Sequence, residues 1–411
     1  MLAAASPARA EDTLAALAAG RTADGPELSG LAVVIADPRG VRRAEAWGHA
    51  VLASGRERAM TPATPVRVAS ISKLIVALAV MRLVEADTLD LDRDVSDYLG
   101  WSLRNPEFPA AAVTLRQLLS HTSGIDDASG YSFPLGERLR DRLTPDHWSA
   151  APGARFSYAN INYGIVASVM EAATATRFDR LMTRLVFAPL RLDACFNWSG
   201  CSDGAVAAAA VLYRKGRDET AWDPAGPWVA QIDDLRGAPP ACPVRSDGAC
   251  DLAAYRPGDN GTLFSPQGGA RISSLGLAKL GRLLLGHGQV DGVRLLRRES
   301  VDAMLTPVWR DGAAGEAYHG QMRCWGLGIQ CLVGAAGEGD QPVAGRAVRW
   351  WGHLGEAYGL YSGLWVDFGH RRVMVYAITG TADDPVRSPG RHSAFPAFEE
   401  AAMTSLAARR E

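Results

Sequence analysis

Strand-like runs of hydrophobic positions, bounded by turn residues, occur in two parts of the chain that lie far apart in sequence. Near the start, "LAVVIADPRG" and "VRRAEAWGHA" predict two strands joined at a Pro-Arg-Gly turn. Near the end, "AVRWWGHLG", "YGLYSGLWVDFG" and "RRVMVYAITG" predict three more strands. Strands therefore lie at both ends of the chain.

Helical patterns occupy most of the remaining sequence. Residues 11–20 predict a helix that ends at Gly20, and a last helix is expected from about Phe395 to Arg409. The segment from about Ser70 to Ala86 is apolar on nearly every face, so this helix is expected to be buried all round. Three further helical segments are "TLRQLLS", "INYGIVASVMEAATA" and "ISSLGLAKLGRLLLGHG".

This order of elements predicts an α/β (α+β) fold. The terminal strands are expected to join in one antiparallel sheet, flanked by the terminal helices. An α/β lobe of about residues 11–88 and 262–411 then receives an inserted, mostly helical lobe of about residues 89–261. We therefore expect residues 11–411 to form a single bilobed domain, with a cleft between lobes as a common place for an active site.

Composition and charge exclude several classes of partner. The formal net charge of the 411 residues is -2, so nothing indicates binding to nucleic acid. No apolar run approaches the roughly 20 residues that span a bilayer, so we expect no integral membrane segment. The expected partner is a small-molecule or peptide substrate, and the oligomeric state stays open.

The first ten residues, "MLAAASPARA", end in Ala8-Arg9-Ala10, a small-x-small site typical of signal-peptide cleavage. The basic and long apolar regions of a complete signal peptide are missing. Residues 1–10 are therefore interpreted as a signal-peptide remnant or, alternatively, a disordered tail.

Six cysteines fall into three close pairs in loop-like sequence, which favours local disulfides. Adjacent pairing is one of many possible connectivities, and free buried cysteines are the alternative. Disulfides favour a periplasmic or secreted protein. No CxxC or zinc-finger spacing occurs, and the histidines are scattered, so neither a metal nor a cofactor is expected. The proposed pairs are Cys195 with Cys201, Cys242 with Cys250, and Cys324 with Cys331.

The junction between "TPVRVA" and the apolar helix carries Ser70-Ile71-Ser72-Lys73, in a chain with only three lysines. Residues three apart share a helix face, so Lys73 can approach the Ser70 hydroxyl. Burial and the helix dipole both favour a neutral lysine, which can then act as a base toward a serine nucleophile. The Ser70 N–H, at the helix start, can point into an oxyanion hole. A coincidental serine and a solvated lysine are the alternative.

The segment "PGARFSYANINYG" contains Tyr158-Ala159-Asn160. A phenol can transfer a proton to a leaving group, and an asparagine can donate to a substrate carbonyl. A core tyrosine followed by a helix-capping asparagine is the plainer interpretation of the pair taken alone.

Five segments together resemble the serine β-lactamase and penicillin-binding-protein family, and most closely its class C-like branch, which also holds D-peptidases and esterases. The resemblance runs from about Leu28 to the C-terminus. It implies the two-lobe fold of that family and acyl transfer through an acyl-enzyme, with proton transfer shared between Lys73 and Tyr158. The five segments are "ASISK", "LRQLLSHTSGI", "PGARFSYANINYG", "SPQGGARISSLGLAKL" and "WWGHLGEAYGLYSG".

One motif departs from the β-lactamase pattern, in which Lys-Thr/Ser-Gly lines the cleft. The aligned residues here are His353-Leu354-Gly355, followed by Glu356. By the resemblance, Gly355 allows close approach of backbone to substrate, and the Glu356 N–H is the second oxyanion donor. A neutral His353 and an acidic Glu356 would both weaken binding of a substrate carboxylate. Alternatively, His353 packs beside the neighbouring tryptophans.

These residues predict a serine hydrolase that cleaves an ester or amide bond, including D-amino-acid peptides, through an acyl-Ser70 intermediate. The expected catalytic residues are Ser70, Lys73 and Tyr158, with Asn160, His353 and Gly355 binding substrate. A β-lactamase or D-Ala-D-Ala carboxypeptidase is the alternative within the family. A slow-turnover sensor of β-lactams or peptidoglycan is the alternative of another class, and "HTSG" (residues 121–124) is interpreted as structural.

Overall fold

The strands from the two ends of the chain form one antiparallel sheet, which confirms the predicted fold class. The structure is a computed structural model that describes residues 7–216, 221–312, 315 and 320–408. Within them the largest sheet has the strand order β11-β12-β13-β14-β15-β16-β1-β2-β3. Its strands are β1 (Gly30–Asp37), β2 (Gly40–Val51), β3 (Arg58–Ala59), β11 (Trp309–Arg310), β12 (Cys324–Trp325), β13 (Gln330–Cys331), β14 (Trp350–Ala357), β15 (Leu360–Asp367) and β16 (Arg372–Ile378).

Smaller sheets connect the rest of the chain to this framework. One has the order β4-β8-β5, another β17-β6-β7, and β9 pairs with β10. Their strands are β4 (Pro65–Arg67), β5 (Cys195–Phe196), β6 (Leu212–Lys215), β7 (Trp228–Ile232), β8 (Ala270–Ser273), β9 (Gln289–Val290), β10 (Val293–Arg294) and β17 (Gly380–Thr381).

Helices cover the sheet and fill the middle of the chain. Short 3₁₀ segments occur at Pro145–His147 and Pro385–Arg387, and a π segment occurs at Thr183–Phe187. The α-helices are α1 (Pro7–Ala18), α2 (Ile71–Glu85), α3 (Ser96–Leu99), α4 (Leu115–Leu119), α5 (Leu139–Arg142), α6 (Ile161–Thr174), α7 (Phe178–Met182), α8 (Asp203–Ala207), α9 (Ser274–Leu285), α10 (Arg298–Leu305) and α11 (Ala397–Ala407).

Strand β1 is apolar along nearly its whole length because the sheet is covered on both faces. Leu31 and Val33 belong to the core under the terminal helices α1 and α11. Val34 and Ala36 point the other way, into the core that contains α2 and α9. The two cores explain why this run lacks the alternation of a half-exposed strand.

Helix α2 is buried on all sides, as its sequence predicts. Apart from Arg82, every residue from Ile71 to Leu83 is buried. Helix α9 packs on the same side of the sheet and approaches it closely at Gly281, where an added Cβ would clash with Val373. The start of α2 is therefore fixed by core packing.

Three sequence expectations need correction. Helix α1 begins at Pro7 rather than at residue 11, so residues 7–10 of the expected tail are helical, and residues 1–6 lie outside the described part. The last helix spans Ala397–Ala407 rather than about Phe395 to Arg409. Arg409 lies outside the described residues. Residues 89–261 contain strands β5, β6 and β7 as well as helices, and β5 and β6 pair with strands from outside that segment.

The six cysteines form the three local disulfides expected from their spacing. The Cα–Cα distances are 5.1 Å for Cys195–Cys201, 5.5 Å for Cys242–Cys250 and 5.0 Å for Cys324–Cys331, within the usual range for disulfides. Within the described residues, no helix is long and apolar enough to cross a membrane.

The short disulfide loops predict modest stabilisation. Chain entropy alone gives about 2–3 kcal/mol for loops of this length. Replacing both Cys324 and Cys331 by alanine should lower the free energy of unfolding by more than that, because these buried residues also pack. The matched Cys242/Cys250 double variant should lose less beyond the entropic part, because Cys250 is exposed and Cys242 is only partly buried. Urea titrations check both values, and equal losses would contradict this account.

Candidate active site

Ser70 lies at a strained junction between strand β4 and helix α2. The preceding residue, Ala69, has a φ of 44°, a conformation that L-residues rarely adopt. Ser70 itself is the first residue of the helical turn, and its side chain makes no capping hydrogen bond. Its hydroxyl is therefore available to a neighbouring side chain rather than to the helix end.

Lys73 supplies that neighbour. Its Nζ lies 3.0 Å from Ser70 Oγ, and it donates to Asn160 Oδ1 at 2.8 Å and to the Gln267 carbonyl at 3.1 Å. The lysine is fully buried. The geometry suits a neutral amine, whose two N–H groups can go to Asn160 and Gln267 while the lone pair faces Ser70.

Burial lowers the pKa of Lys73 to about 7, and only the Asp127 carboxylate acts in the opposite direction. The physical cause is that an ammonium loses its hydration in the interior. A substantial fraction of Lys73 is therefore neutral near physiological pH, which a general base requires.

Asp127 holds Asn160 in place. Its Oδ2 accepts hydrogen bonds from both the backbone N–H and the side-chain amide of Asn160, each at 2.9 Å. Its Oδ1 accepts from the Ile161 N–H at 2.9 Å. Because the amide nitrogen is bound to Asp127, the Asn160 oxygen faces Lys73, and the carboxylate also complements the start of α6.

Sequence reasoning missed Asp127. The side chain caps a helix that begins more than thirty positions downstream, as the separation of 33 from Asn160 shows. The available signal was weak: two adjacent aspartates follow the "HTSG" segment, where turn residues are common anyway.

Tyr158 lies against the lysine and against a buried histidine. Lys73 Nζ is 4.7 Å from the centroid of the Tyr158 ring, and the His121 ring centroid is 4.4 Å away from it. His121 Nδ1 accepts from the Ala159 N–H at 3.1 Å. Burial lowers the pKa of His121, as does the charge on Lys73, so the imidazole is neutral. Its ring packs against the ring of Tyr158.

A cleft of about 770 Å³ brings several predicted residues together. Ser70, Tyr158, Asn160 and Glu356 all line it. Lys73 is buried and does not line the cleft itself, but its amine contacts Ser70 and Asn160, which do. A substrate in this cleft would contact the predicted nucleophile, the phenol and the amide side chain.

His353 and Gly355 lie behind the cleft wall rather than in it. His353 is fully buried, with its ring centroid 5.2 Å from that of Trp325, and burial lowers its pKa to about 3. An added Cβ at Gly355 would clash with the carbonyl of Val68, two residues before Ser70. The missing side chain thus lets strand β14 approach the protein's own backbone close to Ser70.

The charge of the cleft differs from the sequence expectation. Glu356 lines it, but its carboxylate accepts a hydrogen bond from the Tyr361 hydroxyl at 2.9 Å. Three arginines, Arg67, Arg214 and Arg245, also line the cleft. A substrate carboxylate would therefore meet cations as well as Glu356.

The Cys242–Cys250 loop contributes one of these arginines. Arg245 Nη1 donates to the Ser132 carbonyl at 3.1 Å, and the Arg245 carbonyl accepts from the Leu135 N–H at 2.9 Å. The disulfide loop therefore forms part of the cleft rim. Among the described residues, no cluster of side chains has the composition of a metal site.

Comparison with known proteins places this geometry in context. A family model described as Beta-lactamase matches residues 18–395. Esterase EstB from Burkholderia gladioli is 36% identical over 163 residues, which cover 34% of this chain and 40% of the esterase. A D-aminopeptidase from Cereibacter sphaeroides is 28% identical over 217 residues, or 50% of this chain and 39% of that protein. The matches thus span less than half the length of either relative.

The fold is also found in a solved structure. The D-amino acid amidase from Ochrobactrum anthropi SV3, in complex with D-phenylalanine, matches with a TM-score of 0.65 at 17% identity. The match covers 97% of this chain and 98% of the amidase. Identity at this level establishes similarity of fold alone.

The hydrogen bonds to Asp127 predict a specific loss of stability. Asp127→Asn should lower the free energy of unfolding by about 1–3 kcal/mol, because one charged acceptor that serves three N–H groups is removed. The matched control is Asp126→Asn, whose carboxylate bonds only locally, to the Ala128 N–H. Urea denaturation followed by circular dichroism measures both. Equal stability of the two variants would show that Asp127 does not hold the start of α6.

Proposed function

The chain belongs to the β-lactamase family, and from that premise we propose that it is a serine hydrolase that cleaves an ester or amide bond through an acyl-Ser70 intermediate. The observation that carries this proposal is the buried Lys73 amine, which lies 3.0 Å from the Ser70 hydroxyl. A serine needs such a base to become a nucleophile.

In the acylation step, neutral Lys73 takes the Ser70 proton while Oγ attacks the substrate carbonyl. The Asn160 oxygen and the Gln267 carbonyl keep the two remaining N–H groups occupied, so the lone pair stays directed at Ser70. The Ser70 and Glu356 N–H groups are the proposed oxyanion donors. Glu356 lies in the same cleft wall as Ser70, which supports this assignment.

Tyr158 and Lys73 form the proposed proton-transfer unit. The phenol lines the cleft, and its ring lies against the lysine amine, which supports a transfer of the proton from Lys73 through the Tyr158 hydroxyl to the leaving group. Water then attacks the carbonyl of the acyl-enzyme, and Tyr158 takes the water proton as it passes its own to Lys73. When the bond between the acyl group and Ser70 Oγ breaks, Lys73 returns a proton to Oγ, and the acid product leaves. Substrate binding by Asn160, His353 and Gly355 stays a prediction, and for the two buried residues it would act through the strand rather than by direct contact.

Ester and peptide substrates, including D-amino-acid peptides, are the proposed substrate class. The names of the relatives support it, because they include an esterase and a D-aminopeptidase. We also propose export to the periplasm or secretion, on the basis of the three disulfides.

A mechanism-based probe tests the nucleophile. A fluorophosphonate should add one phosphonyl group to Ser70, which peptide mass spectrometry can locate. Ser70→Ala should lose labelling, and its turnover of p-nitrophenyl esters should fall by several orders of magnitude. Labelling of another serine, or ester turnover in Ser70→Ala equal to the wild type, would refute the proposal.

A substrate panel separates the alternatives within the family. The proposed hydrolase turns over p-nitrophenyl esters or D-amino-acid peptides repeatedly. Faster turnover of nitrocefin would favour a β-lactamase instead. Stoichiometric acylation of Ser70 without turnover of any of these substrates would favour the sensor.

The Lys73 pKa of about 7 predicts the pH dependence of catalysis. Protonated Lys73 cannot accept the Ser70 proton, so kcat/KM for an uncharged ester should rise with pH up to about 7 and then level off. The Asp127 carboxylate raises this pKa, so Asp127→Asn should move the rise to lower pH. Asp126→Asn should leave it in place.

The measurement is initial rate against pH, read at the isosbestic wavelength of p-nitrophenol. If kcat/KM stayed constant from about pH 5 to 9, a range that extends below and above the pKa of Lys73, this result would contradict a lysine base. A shift to higher pH in Asp127→Asn would contradict the assigned electrostatics.

A further inference from the structure

Arg67 is a buried guanidinium in the wall of the active-site cleft. It ends strand β4, three residues before Ser70, and both residues line the cleft. Only 8% of its surface is exposed. Its guanidinium makes no hydrogen bond to the described residues, and its Nε is buried without a partner.

Among the described residues, the carboxylate that acts on Arg67 is Asp233, which is already paired with another arginine. The neighbouring Arg271 takes both carboxylate oxygens of Asp233, through Nη2 at 2.8 Å and Nε at 3.3 Å. Two buried guanidinium groups thus share one carboxylate. Burial lowers the pKa of Arg67 to about 10, with a further contribution from Arg271, so the group stays charged at neutral pH. A buried cation without its own anion is costly for a folded protein.

Within the described part of the chain, no acceptor occupies the hydrogen-bonding edge of this guanidinium. Its central carbon lies 4.9 Å from the centroid of the Tyr358 ring, so the ring covers one face and fixes the plane. The planar fork of an arginine matches the two oxygens of a carboxylate. An oriented, buried and uncompensated fork beside a nucleophile is what recognition of an anionic substrate needs.

We propose that Arg67 is a specificity-determining residue that binds a carboxylate of the substrate while the scissile carbonyl lies at Ser70. The inference rests on the proposed serine hydrolase function and adds the charge of the substrate to it. The carboxylate can lie on either side of the scissile bond, in the acyl group or in the leaving group of the substrate. Two pairs of substrates, one for each position, distinguish these cases.

Of the two other arginines that line the cleft, Arg245 lies in a different setting from Arg67. Its side chain is 59% exposed and already donates to the Ser132 carbonyl. Water screens an exposed charge, so Arg245 should add little selectivity for a carboxylate. It serves as the matched control.

The experiment compares each carboxylate substrate with its neutral carboxamide. Mono-p-nitrophenyl adipate and its carboxamide test the acyl side, and N-acetyl-D-alanyl-D-alanine and its C-terminal amide test the leaving-group side. The wild type should prefer the carboxylate in at least one pair. Arg67→Gln should reduce that ratio of kcat/KM values by about 10- to 100-fold, the range for a hydrogen bond to a charged group.

Further variants keep the result interpretable. Arg67→Lys should restore part of the ratio, because it retains the charge but not the fork. Tyr358→Leu, which removes the stacking face without changing a buried charge, should also lower the ratio. Arg245→Gln should change it by less than about fivefold, as expected for an exposed charge.

Equilibrium binding separates this proposal from the proposed function. Calorimetry with Ser70→Ala should show tighter binding of the favoured carboxylate substrate than of its amide, and Arg67→Gln added to this background should abolish the difference. Suppose that Arg67→Gln abolishes this difference in affinity, but the fluorophosphonate does not label Ser70 in the wild type. That combination would refute Ser70 as the nucleophile and still support the anion site. Equal use of carboxylate and amide by the wild type in both pairs, or an unchanged ratio in Arg67→Gln and Tyr358→Leu, would overturn the assignment of Arg67.

Discussion

The burial of one amine beside one hydroxyl is the constraint on which the site depends. An ammonium taken out of water loses hydration that the interior does not replace, so Lys73 is driven toward its neutral form. A neutral amine still needs acceptors for its N–H groups, and Asn160 and the Gln267 carbonyl provide them. What remains is a lone pair directed at Ser70. Burial that would be unfavourable for a structural lysine therefore suits the base that we propose.

The fold holds this arrangement rigidly because each part belongs to a packed element. Helix α2 is enclosed on all sides, so Ser70 and Lys73 cannot move independently of the core. Strand β14 is close to the backbone leading into Ser70 because Gly355 has no side chain. Asp127 fixes Asn160, which lines the same cleft, through two hydrogen bonds. Helix α2, strand β14 and the Asp127 side chain thus together fix the surroundings of the Ser70 hydroxyl.

Local patterns in the sequence were sufficient for much of this picture. The apolar run of α2, the terminal strands and the close cysteine pairs each depend on neighbours in sequence, and the structure contains all of them. The Ser-x-x-Lys spacing also brings Ser70 and Lys73 together through helix geometry alone. Asp127 and Arg67 escaped notice because their roles come from partners, or a lack of partners, that only the tertiary fold creates. The departure at His353 and Glu356 was interpreted by charge alone, whereas the fold buries the histidine and surrounds the cleft with arginines.

The neutral form of Lys73 is the central claim, and the chain is well suited to a direct test because it has only three lysines, Lys73, Lys215 and Lys279. Labelling the lysine side chains with ¹³C at Cε gives a simple spectrum, and Lys73→Met identifies the Lys73 resonance by its absence. A pH titration of that resonance in the folded wild type should show a midpoint near 7. A midpoint at or above about 10, the ordinary range for a hydrated lysine, would show that Lys73 is charged at neutral pH and cannot be the base.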